Sequence, residues 1–201
     1  VEKVQDAIAP IYAKYDGMKP EEVAADANAM AIGERLFMNY CAQCHGSDAR
    51  GAKSFPNLAD GDWLGGTGHD YIKTTIAQGR TGVMPPMAAA VGSAEDVRNV
   101  ANYVLSLSGT PHDAVRASQG KAKFAACAAC HGPDGKGMHA VGAPNLTDGV
   151  WLHGWGEDAI IRAVNNGFNN HMPGQSALLN EGQINVLAAY VWGLSNKPGA
   201  Q

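Results

Sequence analysis

The sequence predicts an all-α protein made of one small helical domain used twice. Three observations carry that expectation. Pro56–Pro85 aligns without a gap on Pro144–Pro173, with about half of the positions identical, which marks a tandem duplication. Apolar residues in the flanks of each copy recur at threes and fours, the spacing of an amphipathic helix. Hydrophobic residues at 45%, charged residues at 17% and the lack of any low-complexity tract suit a chain that buries a core.

The elements follow in order. Residues 1–26 belong to neither copy, and "PEEVAADANAM" reads as a capped helical turn and an arm without assignable chemistry. The first domain takes residues 27–108. It opens on a helix over Asn28–Tyr40, with Met30, Ile32, Leu36 and Phe37 near one face, and closes on a helix over Glu95–Ser108 with Val97, Val100, Val104 and Leu107 in register. A linker at residues 109–117, marked by Pro111 and small polar residues, leads to the second domain at 118–201, whose closing helix is Glu181–Ser195. A glycine inside a helix costs up to about 1 kcal/mol against alanine. Gly33 and Gly120, each four residues ahead of a phenylalanine (Phe37, Phe124), therefore predict close helix–helix approach.

A formal charge of −4 argues against a nucleic-acid partner, which calls for a basic stripe. It leaves open a docking partner with a basic face. No apolar run reaches the ~18 residues of a membrane span. The first residues also lack the basic-then-apolar layout of a signal peptide, so the expectation is a mature chain or one cut free of an N-terminal anchor.

All four cysteines fall in two copies of one motif, Cys41-x-x-Cys44-His45 and Cys127-x-x-Cys130-His131. A zinc site wants its two pairs about 15–20 residues apart, whereas these lie in separate copies. A thioredoxin-type dithiol sits at a strand–helix junction and has no use for the histidine. Covalent haem attachment uses every residue: each thiol adds across a vinyl group, and the histidine reaches the iron. The pattern predicts two covalently attached haem c groups, with His45 and His131 as metal ligands.

The sixth ligand should come late in each domain. Met84 aligns with Met172, each followed by proline, whereas Met87 aligns with Gln175; the repeat selects Met84 and Met172. His171 is the rival in the second copy, although its counterpart is Val83. His69, His112, His139 and His153 lack histidine counterparts and read as surface residues. Histidine plus methionine fills both axial positions, raises the potential and favours electron transfer over oxygen or peroxide chemistry. Pro56 and Pro144 follow their histidines by eleven and thirteen residues, and their carbonyls are candidates to accept the remaining imidazole N–H. Trp63 and Trp151 are candidates to donate to a haem propionate, with plain packing as the alternative. Gly46, Gly132, Gly79 and Gly167 read as turns or close approaches, and Arg80 as a propionate partner or a solvated arginine.

These residues resemble class I cytochrome c domains, each a small helical fold around one covalently bound haem c. The phrases "GERLFMNYCAQCHGSDARGAKSFPNLADGDWL", "CHGPDGKGMHAVGAPNL", "IYAKYDGMKPEEVAAD" and "VLAAYVWGLS" extend the resemblance to the dihaem subunit (CcoP or FixP) of bacterial cbb3-type cytochrome c oxidase. That resemblance implies an electron-transfer subunit without catalysis of its own, on the periplasmic face of the inner membrane. It would take electrons from a soluble donor cytochrome c and pass them towards the catalytic and monohaem cytochrome subunits of the oxidase. It also implies His45 with Met84 for the first haem and His131 with Met172 for the second. The family carries an N-terminal membrane segment that this chain lacks, so attachment is expected only of a longer precursor. A free dihaem shuttle and a dihaem peroxidase are the alternatives.

Overall fold

A computed structural model describes residues 10–196 of the chain, so the first nine residues of the arm and the last five of the second domain lie outside the described residues. A helical turn at residues 10–13 precedes α1 (Pro20–Ala25), α2 (Ala27–Tyr40), α3 (Ala42–His45), α4 (His69–Gln78), β1 (Gly79–Met84), α5 (Ala88–Val91) and α6 (Ala94–Leu107). Then come α7 (Ala114–Lys123), α8 (Ala125–His131), a 3-10 turn at His139–Val141, α9 (Glu157–Asn166), β2 (Phe168–Pro173) and α10 (Glu181–Asn196). The mainly helical expectation holds. What it lacked is the pair of six-residue strands, which form a two-stranded sheet.

Local chemistry sets the helix ends. Asp26 accepts from the amides of Asn28 and Ala29 at 2.8 and 3.1 Å, and Asp113 does the same for Val115 and Arg116 at 2.9 and 3.0 Å. Each satisfies two of the donors that a helix start leaves open. Ser93 and Asp96 form a reciprocal capping box at the start of α6. α4 and α9 both stop at a glycine with positive φ, Gly79 at 73° and Gly167 at 64°.

The chain folds as two compact units, and neither is one sequence copy. One unit takes the described residues up to Arg80 and those from His171 onward; the other is Thr81–Asn170. Within the first unit, α10 packs on α2 and α4. Within the second, α6 packs on α7 and α9. The opening helix of each copy is thus matched with the closing helix of the other. The link between α6 and α7 is short, residues 108–113, which favours an antiparallel hairpin of neighbours over a distant partner. The linker expected at 109–117 is correspondingly part helix, since α7 begins at Ala114.

The crossings are built on the two glycines. A Cβ on Gly33 would lie 2.5 Å from Tyr190 Cβ, and one on Gly120 would run into the carbonyl of Asn99. Phe37 meets Tyr190 with ring centroids 5.7 Å apart, and Phe124 meets Tyr103 at 5.2 Å. Phe37 is fully buried, worth about 1.5–3 kcal/mol of transfer free energy. α10 has a second covered face: Tyr15 and Val23 of the arm pack against Val186 and Ala189, and Asn185 Nδ2 donates to the Tyr15 carbonyl at 3.0 Å. The arm is therefore part of the first unit's core.

Gly33→Ala should destabilise the holoprotein by about 1–3 kcal/mol in chemical denaturation, because overpacking at the crossing outweighs the helix-propensity gain. Gly193→Ala, on α10 with its nearest neighbours at 3.8 and 3.9 Å, should instead stabilise by up to about 1 kcal/mol.

Candidate haem sites

Each Cys-x-x-Cys-His segment sits at the end of the opening helical region of its unit. Cys41 and Cys127 are half-buried and Cys44 and Cys130 exposed, and no disulfide joins any of the four. Burial, with a smaller contribution from Cys44, pushes the Cys41 thiol up to about 11; the Cys127 thiol is raised in the same way by burial and then Cys130. A dithiol used for exchange needs a thiolate near neutral pH. These thiols are held protonated, the form that adds S–H across a vinyl group.

His45 and His131 are buried, each with Nδ1 at 3.0 Å from a proline carbonyl, Pro56 and Pro144 respectively. The proline carbonyls singled out in the sequence thus meet the histidines. With Nδ1–H donated to the carbonyl, Nε2 keeps its lone pair for a metal. The loops that make this contact are matched. Gly51 and Gly137 have φ of 74° and 82°, and their amides donate to the carbonyls of His45 and His131 at 2.7 and 2.8 Å. A Cβ at Gly51 would meet Pro56 and Asn57, and one at Gly137 would meet Pro144 and Asn145. Only glycine lets the loop come back so close while φ is positive.

The methionines lie in the opposite units from the pairing that the family resemblance implied. Met172 belongs to the unit of His45, and Met84 to the unit of His131. In the first unit, the Gln175 amide donates to the Ile76 carbonyl at 2.8 Å, and Gly79 lies against the Met172 carbonyl. In the second, the Met87 amide donates to the Val164 carbonyl at 2.8 Å, and Gly167 lies against the Met84 carbonyl. Gln175 is the counterpart of Met87, and Ile76 of Val164, so the two units make the same contacts with their methionine loops exchanged. The expected pairing of His45 with Met84 and His131 with Met172 would therefore draw on different units, because the loop after each strand docks on the helix of the other copy.

Met84 and Met172 are both half-buried, while His171 is exposed. Met87 packs against the core of the second unit through its side chain. Trp63, like Cys41 and Leu58, packs against the core of the first unit, and Trp151, like Cys127 and Leu146, against the core of the second. Arg80 is committed inside its own unit: the guanidinium lies 3.8 Å from the Tyr71 ring centroid and Nε donates to Thr75 Oγ1 at 2.6 Å. His69, expected at the surface, is buried, and neither ring nitrogen has a hydrogen-bond partner. Asp16, Gly17 and Met18 of the arm line a pocket of about 390 Å³ with His69 and Asn185.

The donor set fits haem c in both units: two unpaired cysteines, a buried imidazole with its outer nitrogen engaged, and a thioether loop in the same compact unit. Among the described residues no cluster of three or more His, Cys, Asp or Glu offers an ordinary metal site, and no helix is long and apolar enough to cross a membrane.

Comparison with known proteins agrees with this chemistry. Residues 28–104 and 115–191 each match the family described as cytochrome c oxidase, cbb3-type, subunit III. The chain is 63% identical over 195 residues to the cbb3-type cytochrome c oxidase subunit CcoP of Rubrivivax gelatinosus, covering 97% of this chain and 64% of that protein. It is 40% identical over 187 residues to the CcoP subunit of Cereibacter sphaeroides, covering 86% of this chain and 64% of the relative. It is 42% identical over 173 residues to the FixP subunit of Azorhizobium caulinodans, covering 81% and 59%. The chain thus spans somewhat less than two thirds of the length of these relatives. With both copies matched and this identity over nearly its whole length, the chain belongs to the family of subunit III of cbb3-type cytochrome c oxidases.

Proposed function

We propose that the chain carries two covalently attached haem c groups and relays electrons within a cbb3-type oxidase. Bound haem supplies an iron that cycles between the ferrous and ferric states, one electron at a time. The residues of the chain hold that iron. In the first unit Cys41 and Cys44 would tether the group, and His45 and Met172 would be its ligands. In the second unit Cys127 and Cys130 would tether it, and His131 and Met84 would be its ligands. The observation that carries this reading is the matched pair of imidazole–carbonyl contacts, His45 to Pro56 and His131 to Pro144, each at 3.0 Å beside unpaired cysteines.

A buried imidazole fixed through Nδ1 is a stronger and better oriented ligand. A thioether as second protein ligand would raise the potential of the bound group and favour electron transfer over oxygen or peroxide chemistry. Trp63 and Trp151, packed on the same cores as Cys41 and Cys127, are the candidates to donate an indole N–H to propionates. The exposed Cys44 and Cys130 mark the edges at which a partner approaches closely enough for electron exchange. The subunit makes and breaks no substrate bond. Its partners are the catalytic and monohaem cytochrome subunits of the oxidase and a soluble donor cytochrome c, met on the periplasmic side of the inner membrane. The names of the relatives, all subunits of cbb3-type oxidases, support that placement.

The holoprotein should retain two haems per chain in acidified organic solvent and should bind no carbon monoxide in the reduced state. Loss of the haems to the solvent, or stoichiometric carbon monoxide binding at one of them, contradicts the proposal. The crossed ligation has its own test. With the first motif emptied by Cys41→Ala and Cys44→Ala, the remaining haem should lose its near-infrared methionine–iron band on Met84→Ala and keep it on Met172→Ala. The reverse result restores ligation within each sequence copy.

A further inference from the structure

The two methionine loops sit on matched helix ends but are held there by different means. In the first unit the last turn of α4 has carbonyls without partners inside the helix, as every helix end does. The Gln175 amide donates to the Ile76 carbonyl at 2.8 Å, and the Ser176 amide to the Ala77 carbonyl at 3.3 Å. Gly79 and Gly174 let the two backbones close to contact. A Cβ on Gly79 would strike the Met172 carbonyl, and one on Gly174 would lie 2.7 Å from the Ala77 carbonyl. Met172 takes its position from where α4 ends.

In the second unit the loop carries its own anchor. The Met87 amide donates to the Val164 carbonyl, and the Met87 side chain packs against the core. Its counterpart in the first unit is Gln175, whose Nε2 donates to the Pro173 carbonyl of its own loop at 3.1 Å. An amide spent inside the loop does not replace an apolar side chain sunk in a core. The first unit has a different device at this place. Arg80, directly after Gly79, folds back along α4: Nε donates to Thr75 Oγ1 at 2.6 Å, and the guanidinium lies 3.8 Å from the Tyr71 ring centroid. Thr75 Oγ1 in turn donates to the Tyr71 carbonyl at 2.7 Å. The second copy keeps none of the three, since Ala159, Ala163 and Phe168 stand where the first has Tyr71, Thr75 and Arg80.

We propose that Arg80 is a positioning residue for Met172: clamped to Tyr71 and Thr75, it fixes the end of α4 on which the first unit's methionine loop docks. The inference rests on the reading of Met172 as a ligand of the first unit's haem. Helix ends fray, and α4 has no basic residue in its own last turn. Arg80 supplies the missing cation just past the C-terminus, where it is favourable against the helix dipole. Its planar guanidinium both stacks on the ring and donates from Nε, a combination that lysine does not offer. If the last turn of α4 opens, the Ile76 and Ala77 carbonyls leave the loop, and Met172 loses its seat. The second unit has the buried Met87 for that task.

The test reads both loops in the two-haem holoprotein. Arg80→Gln should speed hydrogen exchange at the Gln175 and Ser176 amides several-fold and leave the Met87 amide as it was. It should also raise several-fold the affinity of the ferric first-unit haem for added imidazole, a competitor of the thioether, with no change at the second haem. Thr75→Val keeps the side-chain shape and removes the acceptor, so it should act in the same direction, more weakly. The double variant should be no looser than Arg80→Gln alone, because both substitutions break one clamp. Unchanged exchange at Gln175 in Arg80→Gln, equal loosening at both haems, or effects of the two substitutions that simply add, overturns the inference. Should Met172→Ala leave the first haem's near-infrared methionine–iron band intact, the ligand reading falls instead, and exchange at Gln175 still decides the clamp.

Discussion

A helix crossing too tight for a side chain governs this protein. Gly33 under the Tyr190 side chain and Gly120 under the Asn99 backbone let an opening helix and a closing helix approach closely, and each crossing joins helices from different sequence copies. Everything downstream follows from that choice. Once α10 lies on α2, the strand and loop ahead of it are drawn to α4, and Met172 comes with them into the unit of His45. Once α6 lies on α7, Met84 is carried to α9 and the unit of His131. In the proposed ligation, the ligand sets are consequences of helix packing. The methionine loops themselves are alike enough to serve either pocket.

The chemistry was legible in the sequence because it is local. Cys41-x-x-Cys44-His45 and its copy carry their meaning in five residues each, and the Pro56 and Pro144 carbonyls lie within thirteen residues of the histidines they meet. The glycine-notched helices were legible for the same reason: Gly33 with Phe37, and Gly120 with Phe124, stand one helical turn apart. The exchange between copies was not legible. Two similar repeats offer each opening helix two nearly equivalent closing helices, so the pattern that reveals the duplication is silent about which one is used. The six-residue connection between α6 and α7 decides it, by making the hairpin the short route.

Other misses share a long-range origin. The strands "GRTGVM" and "FNNHMP" show no alternation of apolar and polar residues, and they exist because each finds the other 84 or more residues away. His69 carries no sign in its neighbourhood that it will be buried; it shares a pocket with residues 16–18 of the arm and Asn185 of α10, far away in sequence. The arm itself read as a capped turn without assignable chemistry. Its Tyr15 and Val23 complete the burial of α10, so it stabilises the very helix whose placement brings Met172 to the first pocket.

The duplication has also been released from strict symmetry where symmetry has no structural task. Cysteines, histidines, proline carbonyls, turn glycines and methionines are kept in both copies, whereas the side chains beside the methionine loops differ, Arg80 with Tyr71 and Thr75 in one unit and Met87 in the other. The most direct measurement of the central claim is an NMR assignment of the methionine methyl groups in the ferrous holoprotein. The account predicts through-space contacts from the Met172 methyl to the haem bonded to Cys41 and Cys44, and from the Met84 methyl to the haem bonded to Cys127 and Cys130. Contacts from Met84 to the haem on Cys41 and Cys44 would contradict it.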